Sequence, residues 1–342
     1  MMTSKITPKK RLLDVLNKKA TDRAPVICMG GMMNASIVEV MNSSGFTLPA
    51  AHDNPDLMAS LAGAIQEQTG FENLGVPFCM TVEAELLGSR IDKGTLACEP
   101  KIRQEAFGSV RDVIFRDIDE MLESGRIQTV TSATAKLSQT YQQLPVVVSM
   151  TGPISTAASI INPMAFYKEL RKNPASAHRI LEYVTELLIR FAARSVRAGA
   201  SVIAIGDPSA TGEILGPLMF REYAVRYLNI LTEAVHGFRT PVILHICGNI
   251  NNVRTLIPDL KADAISTDAM VNLAKLKEDF PGITTMGNLS TYSLEWGTPH
   301  KISVQTQKLV DDGIDIISPA CGLSTSTTLA NIRAMTRTVQ GE

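Results

Sequence analysis

The chain has 342 residues, of which 45% are hydrophobic and 20% are charged, and its formal net charge is −1. A near-neutral chain with 5% aromatic residues lacks the basic surface and the stacking side chains that are typical of nucleic-acid-binding proteins. Its apolar runs are shorter than a membrane span requires, and residues 1–11 contain no apolar signal region. Five cysteines suit the reduced thiols of a cytoplasmic protein better than a disulfide framework. We therefore expect a globular cytoplasmic protein with no nucleic-acid or membrane partner.

Helices and strands alternate along the first half of the chain, with irregular spacing. Thr7 and Pro8 are a typical helix start, and apolar runs such as 24–29 and 144–150 predict buried strands. The predicted elements are a helix over 7–18, a strand over 24–29, helices over 33–41 and 54–68, a strand over 73–76, an extended excursion near 88–100, a helix over 127–143 and a strand over 144–150.

The second half alternates regularly between helices and apolar strands. The predicted helices cover 173–198, 217–235, 253–260, 273–278, 303–311 and 327–339, and the predicted strands cover 201–205, 242–246, 262–266, 283–286 and 314–317. With the three strands of the first half this makes eight, which favours a single α/β domain over 1–342, built as a (β/α)8 barrel. An open doubly wound sheet is the alternative, but the chain has no G-x-G-x-x-G motif or phosphate loop to support it.

Two strand ends carry side chains that bind metals. His245 and Cys247 lie two residues apart at the end of the strand over 242–246, so both side chains point to the same side. Cys321 follows the strand over 314–317, and in a parallel barrel both strands end on the same face. An imidazole and two thiolates are natural zinc ligands, and three protein ligands leave one position open, as in catalytic zinc sites. Alternatively, these cysteines are small buried hydrophobic residues without a metal.

Four carboxylates near predicted strand ends are further candidates. Asp207 is interpreted either as a carboxylate that orients a metal ligand or acts as a base near the substrate, or as a helix N-cap or turn residue. Asp268 has the same two interpretations. Glu83 and Glu85 fall on a predicted helix near the barrel mouth, and we expect them on the surface, where most carboxylates lie.

Seven short motifs, spread over nearly the whole chain, resemble those of a known family. They are TDRAPV at 21–26, MTGPI at 150–154, IGDP at 205–208, GPLMF at 216–220, HICGN at 245–249, MGNL at 286–289 and SPACGL at 318–323 with Asn331. Through them the chain resembles the uroporphyrinogen decarboxylase superfamily, and within it the zinc-dependent methylcobamide:coenzyme M methyltransferases. The resemblance implies a uroporphyrinogen decarboxylase-like barrel with His245, Cys247 and Cys321 as the zinc ligands.

One segment departs from the decarboxylase pattern. Decarboxylases of this superfamily have an arginine-bearing segment after the first strand that holds the carboxylates of the porphyrinogen. Residues 29–35 of this chain, MGGMMNA, contain no arginine, and a substrate with many carboxylates would lack charge partners there. We expect Met29, Met32 and Met33 to suit the hydrophobic edge of a corrinoid instead, although methionine is also a common packing residue.

The resemblance implies a cytoplasmic zinc methyltransferase. It would move a methyl group from a methylated corrinoid, held by a partner protein, to a thiol such as coenzyme M. The barrel mouth would then have to admit the corrinoid protein. Two alternatives stay open: a corrinoid-linked methyltransferase with another donor or acceptor, and a decarboxylase or binding module whose zinc is structural or absent.

Overall fold

The computed structural model describes residues 6–342. The expectation that 1–11 carry no signal region therefore falls partly on residues 1–5, which lie outside the described residues. Nine strands are formed in the described part: β1 (Leu74–Val76), β2 (Arg90–Asp92), β3 (Lys101–Gln104), β4 (Val146–Thr151), β5 (Val202–Gly206), β6 (Val242–Ile246), β7 (Ala264–Thr267), β8 (Thr285–Leu289) and β9 (Ile316–Pro319).

Fifteen α-helices surround and connect these strands in the described part of the chain. They are α1 (Pro8–Leu16), α2 (Val38–Ser44), α3 (Pro55–Thr69), α4 (Val82–Leu86), α5 (Ile118–Leu122), α6 (Arg126–Thr140), α7 (Pro153–Ile160), α8 (Pro163–Lys172), α9 (Pro174–Arg197), α10 (Gly212–Met219), α11 (Arg226–Gly237), α12 (Leu273–Asp279), α13 (Thr291–Trp296), α14 (Pro299–Asp311) and α15 (Leu329–Gln340).

Seven strands form one parallel sheet in the order β1-β4-β5-β6-β7-β8-β9, and β2 pairs with β3 in a separate antiparallel hairpin. Strands β4 and β6 are buried at every position, because a parallel sheet has one face against helices and the other against an interior core. The hairpin matches the excursion predicted near 88–100, although its second strand runs on to Gln104. An α/β fold with a parallel sheet is thus confirmed.

An inner core fills the space enclosed by the curved sheet. It is built from alternate strand residues, among them Val147, Ile243 and Met286, which form one buried cluster. Leu12 and Leu16 of α1 belong to the same cluster as these strand residues. Because strand side chains alternate between faces, the remaining strand residues pack against the outer helices.

The segment predicted as the first strand, over 24–29, does not form a strand. It makes one parallel bridge to β9, in which the nitrogen of Ile27 donates to the oxygen of Ile317 at 3.0 Å. Pro25 has no N–H to extend the ladder. The side-chain amide of Asn73 instead pairs with the backbone of Cys28, at 2.9 and 2.7 Å. The sheet therefore has seven strands, and the segment lies beside it.

A buried ion-pair network explains the TDRAPV motif. The carboxylate of Glu72 accepts from Arg11 at 2.7 Å, from Arg23 at 2.7 and 2.8 Å, and from the backbone nitrogen of Val26 at 3.0 Å. Asp22 also binds Arg11, at 2.7 Å. A buried charge is tolerated only when it is paired in this way. The network fastens α1 to the segment that enters the sheet.

Three predicted helices differ from those observed. The helix expected over 253–260 is a 3-10 helix, Asn251–Asp259. The helix expected over 33–41 begins only at Val38, because Gly30 and Gly31 adopt positive φ angles and 30–33 form a turn. The helix expected over 217–235 is divided into α10, a π-helical segment over 220–225 and α11. Gly216, with a φ of +67°, and Pro217 kink α10 where the predicted helix would begin. Among residues 6–342, no helix combines the length and hydropathy that a membrane crossing requires.

Candidate metal centre

The structure brings together the three side chains predicted to bind zinc. The donor atoms of His245, Cys247 and Cys321 all lie within 4.8 Å of one another. The Nε2 atom of His245 is 3.1 Å from the sulfur of Cys247, which is 3.7 Å from the sulfur of Cys321. In the described part of the chain, no other group of three histidine, cysteine or acidic side chains has a comparable arrangement.

The imidazole of His245 is oriented by the neighbouring strand. His245 is fully buried, and its Nδ1 atom is 2.9 Å from the hydroxyl oxygen of Ser266. Ser266 lies directly opposite His245 in the register of β6 and β7. A partner on one ring nitrogen fixes the ring plane and leaves the other nitrogen for a metal. Nε2 is therefore the atom that faces the two sulfurs.

The two thiols share a hydrogen bond that makes them unequal. The contact between the sulfurs of Cys247 and Cys321 lowers the pKa of Cys321, and the nearby His245 also lowers it, although burial acts in the opposite direction. The same hydrogen bond, followed by burial, raises the pKa of Cys247. Cys321 thus loses its proton first. A half-exposed thiolate beside a thiol and an imidazole is a donor set that zinc prefers.

Each of the two cysteines is followed by a glycine for a steric reason. Gly248 has a φ of +71°, and a Cβ there would lie 2.9 Å from a carboxylate oxygen of Glu213. A Cβ on Gly322 would lie 2.7 Å from the backbone oxygen of Met32. The positive φ favours glycine at 248, and the contact with the backbone of Met32 favours glycine at 322. The repeated Cys-Gly pattern in the sequence therefore reflects how tightly these loops pack.

Asp207 is fully buried and caps the N-terminus of α7. Its carboxylate accepts from the backbone nitrogens of Ile154 at 3.1 Å and Ser155 at 2.8 Å, and from the hydroxyl of Ser155 at 2.6 Å. Burial raises its pKa to about 6. These contacts support the helix-cap interpretation. The Nδ1 atom of His245, which an orienting carboxylate would have to contact, faces Ser266 instead.

The three methionines predicted to contact a corrinoid differ in exposure. Met29 and Met33 are buried in the inner core, yet both line the small cavity next to His245. Met32 is half-buried and lines, with Met80, a small cavity of about 10 Å³ next to His245. Such a cavity holds about one water molecule or methyl group. Contact of the three methionines with a corrinoid stays a prediction.

Glu83 differs from its prediction, and Ser266 was not predicted. Glu83 was expected on the surface but is buried, because its carboxylate accepts from the backbone nitrogen of Thr151 at 2.9 Å and from the Thr151 hydroxyl at 3.1 Å. Burial raises the pKa of Glu83. Ser266 was not singled out at all. Aligning the strand ends of β6 and β7 would have placed it opposite His245.

Comparisons with known proteins show the family to which the chain belongs. A family model described as uroporphyrinogen decarboxylase (URO-D) matches residues 7–341. The chain is 33% identical over 331 residues to the methylcobamide:CoM methyltransferase MtbA of Methanosarcina mazei, covering 96% of each chain. It is 31% identical over 336 residues to the methylcobamide:CoM methyltransferase MtaA of Methanosarcina barkeri, covering 97% of each.

A solved structure supports the same relationship. It is described as a methyltransferase from Methanosarcina mazei, with a TM-score of 0.92 and 30% identity, and the match covers 98% of this chain and 99% of the other. The resemblance predicted from the motifs is confirmed, and with it the prediction that the chain is a methyltransferase. The chain belongs to the uroporphyrinogen decarboxylase family.

Proposed function

We propose that this protein transfers a methyl group from a methylcobamide to a thiol, at a zinc ion held by His245, Cys247 and Cys321. The observation that carries the proposal is the convergence of these three donor atoms at the carboxyl ends of parallel strands. Three protein ligands leave one position for the acceptor sulfur. The printed names of full-length relatives, methylcobamide:CoM methyltransferases, agree with this chemistry.

The residues at the centre prepare the acceptor sulfur for attack. When bound, the zinc ion keeps the acceptor thiol deprotonated near neutral pH. His245, held by Ser266, contributes no charge, and the two cysteine thiolates balance the charge of the ion, so the acceptor sulfur stays electron-rich. The sulfur forms a bond to the methyl carbon, the cobalt–carbon bond breaks, and its electron pair stays on cobalt, which passes from Co(III) to Co(I).

The methyl donor has to arrive from outside the protein. Five large, exposed apolar side chains follow the carboxyl ends of four sheet strands. We call this set the apolar rim. They are 64% to 84% exposed: Met164 after β4, Leu218 after β5, Met270 after β7, and Tyr292 and Trp296 after β8. Exposed apolar side chains of this size are typical of protein interfaces. We propose that the corrinoid protein docks on the apolar rim.

Two further proposals concern the fold and the compartment. The segment over 24–28 bridges β9 and also accepts, at Val26, a hydrogen bond of 2.8 Å from Glu72, next to β1. We infer that it completes an eight-membered barrel. All five cysteines are free, which supports a reducing compartment such as the cytoplasm.

The test is the absorbance of free methylcobalamin mixed with zinc-loaded protein, with and without coenzyme M. We expect thiol-dependent loss of the methylcobalamin spectrum. Cys321→Ala should abolish it together with zinc binding. Cys28→Ser should retain it, because Cys28 lies away from the ligands and its hydrogen bond to the oxygen of Met33 can be kept by serine. Zinc-loaded protein that demethylates methylcobalamin with no thiol would contradict the proposal.

A further inference from the structure

The imidazole of His245 has a filled side and an open side. In the register of the sheet, His245 lies opposite Ser266 of β7 and opposite Gly206 of β5. Ser266 fills its side with a hydroxyl oxygen 2.9 Å from Nδ1. Gly206 has no side chain, and it lines the cavity of about 10 Å³ next to His245. The chain therefore leaves room for one small group beside a proposed metal ligand.

Two methionines close this cavity over Gly206. A Cβ atom on Gly206 would lie 3.8 Å from the sulfur of Met32 and 3.9 Å from the terminal methyl carbon of Met80, which are ordinary contact distances. One methyl carbon thus fits between the glycine and the two thioether side chains, whereas a second carbon would collide with them. The size of the cavity follows from these three residues.

The lining of the cavity is mostly apolar, and its side-chain hydroxyl and thiol already have partners within the protein. The hydroxyl of Ser149 donates to the oxygen of Met29 at 3.1 Å, and the sulfur of Cys79 accepts from Arg126 at 3.1 Å. A buried water molecule needs two to four polar partners. Five methionines contribute to the lining: Met29, Met32, Met33, Met80 and Met150. A methyl group therefore suits the cavity better than water does.

The segment that carries Met80 is held from both sides. The guanidinium of Arg126, which is buried, donates to the sulfur of Cys79 at 3.1 Å and to the carbonyl and hydroxyl oxygens of Thr81 at 2.9 and 2.8 Å. Met80 lies between these two residues in the chain. Because its walls are fixed in this way, the cavity cannot take a larger group without displacing side chains, which is unfavourable.

We propose that the cavity receives the methyl group as it becomes bound to the acceptor sulfur, and that Gly206, Met32 and Met80 restrict the transferred group to one carbon. The inference rests on the proposed function and deepens it. Donor atoms that share one ion lie close together, so a substituent on the acceptor sulfur lies near the imidazole of His245. Ethyl transfer would also form a carbon–sulfur bond and leave the cobalt–carbon electron pair on cobalt, so the cavity distinguishes the two groups by size.

The first test compares methylcobalamin with ethylcobalamin as donors to coenzyme M, in zinc-loaded wild type, Met80→Ala and Met58→Ala. Alkyl transfer slows with chain length in any protein, so the informative quantity is the ratio of the two kcat/KM values. Met80→Ala should shift this ratio by about tenfold toward the ethyl donor, because it makes room for one more carbon. Met58→Ala is the matched control and should leave the ratio unchanged, since Met58 is buried on α3, outside the cavity.

Binding of the methylated product gives a second readout that does not depend on turnover. Calorimetry measures the dissociation constants of S-methyl and S-ethyl coenzyme M. Gly206→Ala should weaken binding of the S-methyl compound by about tenfold, because its Cβ atom occupies the cavity. The fold should be retained, since this atom makes only ordinary contacts, and competition with a chelator checks that zinc is still bound. Met80→Ala should instead strengthen binding of the S-ethyl compound.

Two kinds of failure can be distinguished. A donor ratio that is unchanged in Met80→Ala, or wild-type affinity of Gly206→Ala for S-methyl coenzyme M, would overturn the inference while methyl transfer to the thiol still stood. Failure of the wild type to demethylate methylcobalamin in the presence of coenzyme M would overturn the proposed function and this inference together.

Discussion

The hydroxyl of Ser266 decides which nitrogen of His245 faces the two sulfur atoms. It is fully buried and 2.9 Å from Nδ1, so the imidazole cannot rotate without breaking this contact. Groups that hold a ligating histidine in this way typically contribute about tenfold or more to metal affinity. Ser266 is thus a positioning residue for the centre.

Ser266→Ala should weaken zinc binding by about tenfold, because Nδ1 loses its partner and the ring loses its fixed orientation. The free energy of unfolding of the metal-free protein should fall by only about 1 kcal/mol. Competition with a chromophoric chelator measures the affinity. Ser195→Ala is the matched control, since Ser195 is equally buried but bonds the oxygen of Phe191 within α9. Wild-type affinity in Ser266→Ala would contradict this role.

At the residue scale, the convergence of His245, Cys247 and Cys321 could be predicted, and the residues that support them could not. His245 and Cys247 stand two apart in an apolar strand, and that spacing alone puts both on one side. Ser266 and Glu83 depend on which strand or helix lies alongside. Glu83 is buried only because Thr151, far away in the sequence, supplies two hydrogen bonds. Local sequence patterns do not indicate hydrogen-bond partners that lie far away in the sequence.

At the scale of elements, helix α7 begins on the carboxylate of Asp207 from the neighbouring strand. The cap binds β5 to the helix after β4 through three hydrogen bonds. A carboxylate at a helix N-terminus is favoured by the helix dipole, yet complete burial outweighs this effect and raises its pKa from 3.8 to about 6.

This shift predicts a pH dependence of stability. A carboxyl group whose folded-state pKa exceeds its unfolded value stabilises the protein most below the unfolded value, and loses that contribution as the pH rises through the folded value. Between pH 4 and 6, the free energy of unfolding of the wild type should therefore fall by about 2 kcal/mol relative to Asp207→Asn, whose side chain does not titrate.

Urea unfolding of the metal-free proteins at several pH values measures this difference. Chelator in every sample removes the separate effect of metal binding. Asp263→Asn is the control, because Asp263 is an aspartate of the same sheet region whose side chain is partly exposed. A constant difference between the wild type and Asp207→Asn from pH 4 to 6 would show that the carboxyl group is not perturbed by burial.

Elements with long apolar runs were predicted well, and elements shaped by glycine and proline were not. Strands β4 to β9 follow directly from runs of apolar residues bounded by turns. The segment over 24–29 has the same composition, but it lacks the hydrogen bonds of a strand. Pro25 has no N–H to donate, and the side-chain amide of Asn73 bonds the backbone of Cys28. The helix predicted over 217–235 is interrupted by a π-helical segment over 220–225, which the hydrophobic pattern does not indicate.

At the scale of the whole molecule, the apolar rim and the metal centre lie on the same edge of the sheet. A corrinoid is too large for the cavity of about 10 Å³ beside His245, so the proposed methyl donor would approach from outside this cavity. Free methylcobalamin, in contrast, can approach without contacting the rim. Turnover with free methylcobalamin therefore tests the chemistry alone, whereas turnover with a methylated corrinoid protein also depends on docking.

Leu218→Asp should raise KM for a methylated corrinoid protein by about tenfold, because a charge replaces an 84% exposed apolar contact, and should leave turnover with free methylcobalamin unchanged. Val304→Asp on α14 is the control, since Val304 is also an exposed apolar residue but lies outside the rim. Equal effects of the two substitutions with the protein donor would argue against docking on the rim.

The central claim is that three protein ligands hold the metal and leave one position for the acceptor sulfur. The most direct measurement is the zinc X-ray absorption spectrum of the loaded protein before and after addition of the thiol. The account predicts two sulfur ligands and one imidazole at rest, from Cys247, Cys321 and His245, and a third sulfur once the thiol is present. A sulfur count that does not change with thiol, or a fourth protein ligand at rest, would contradict it.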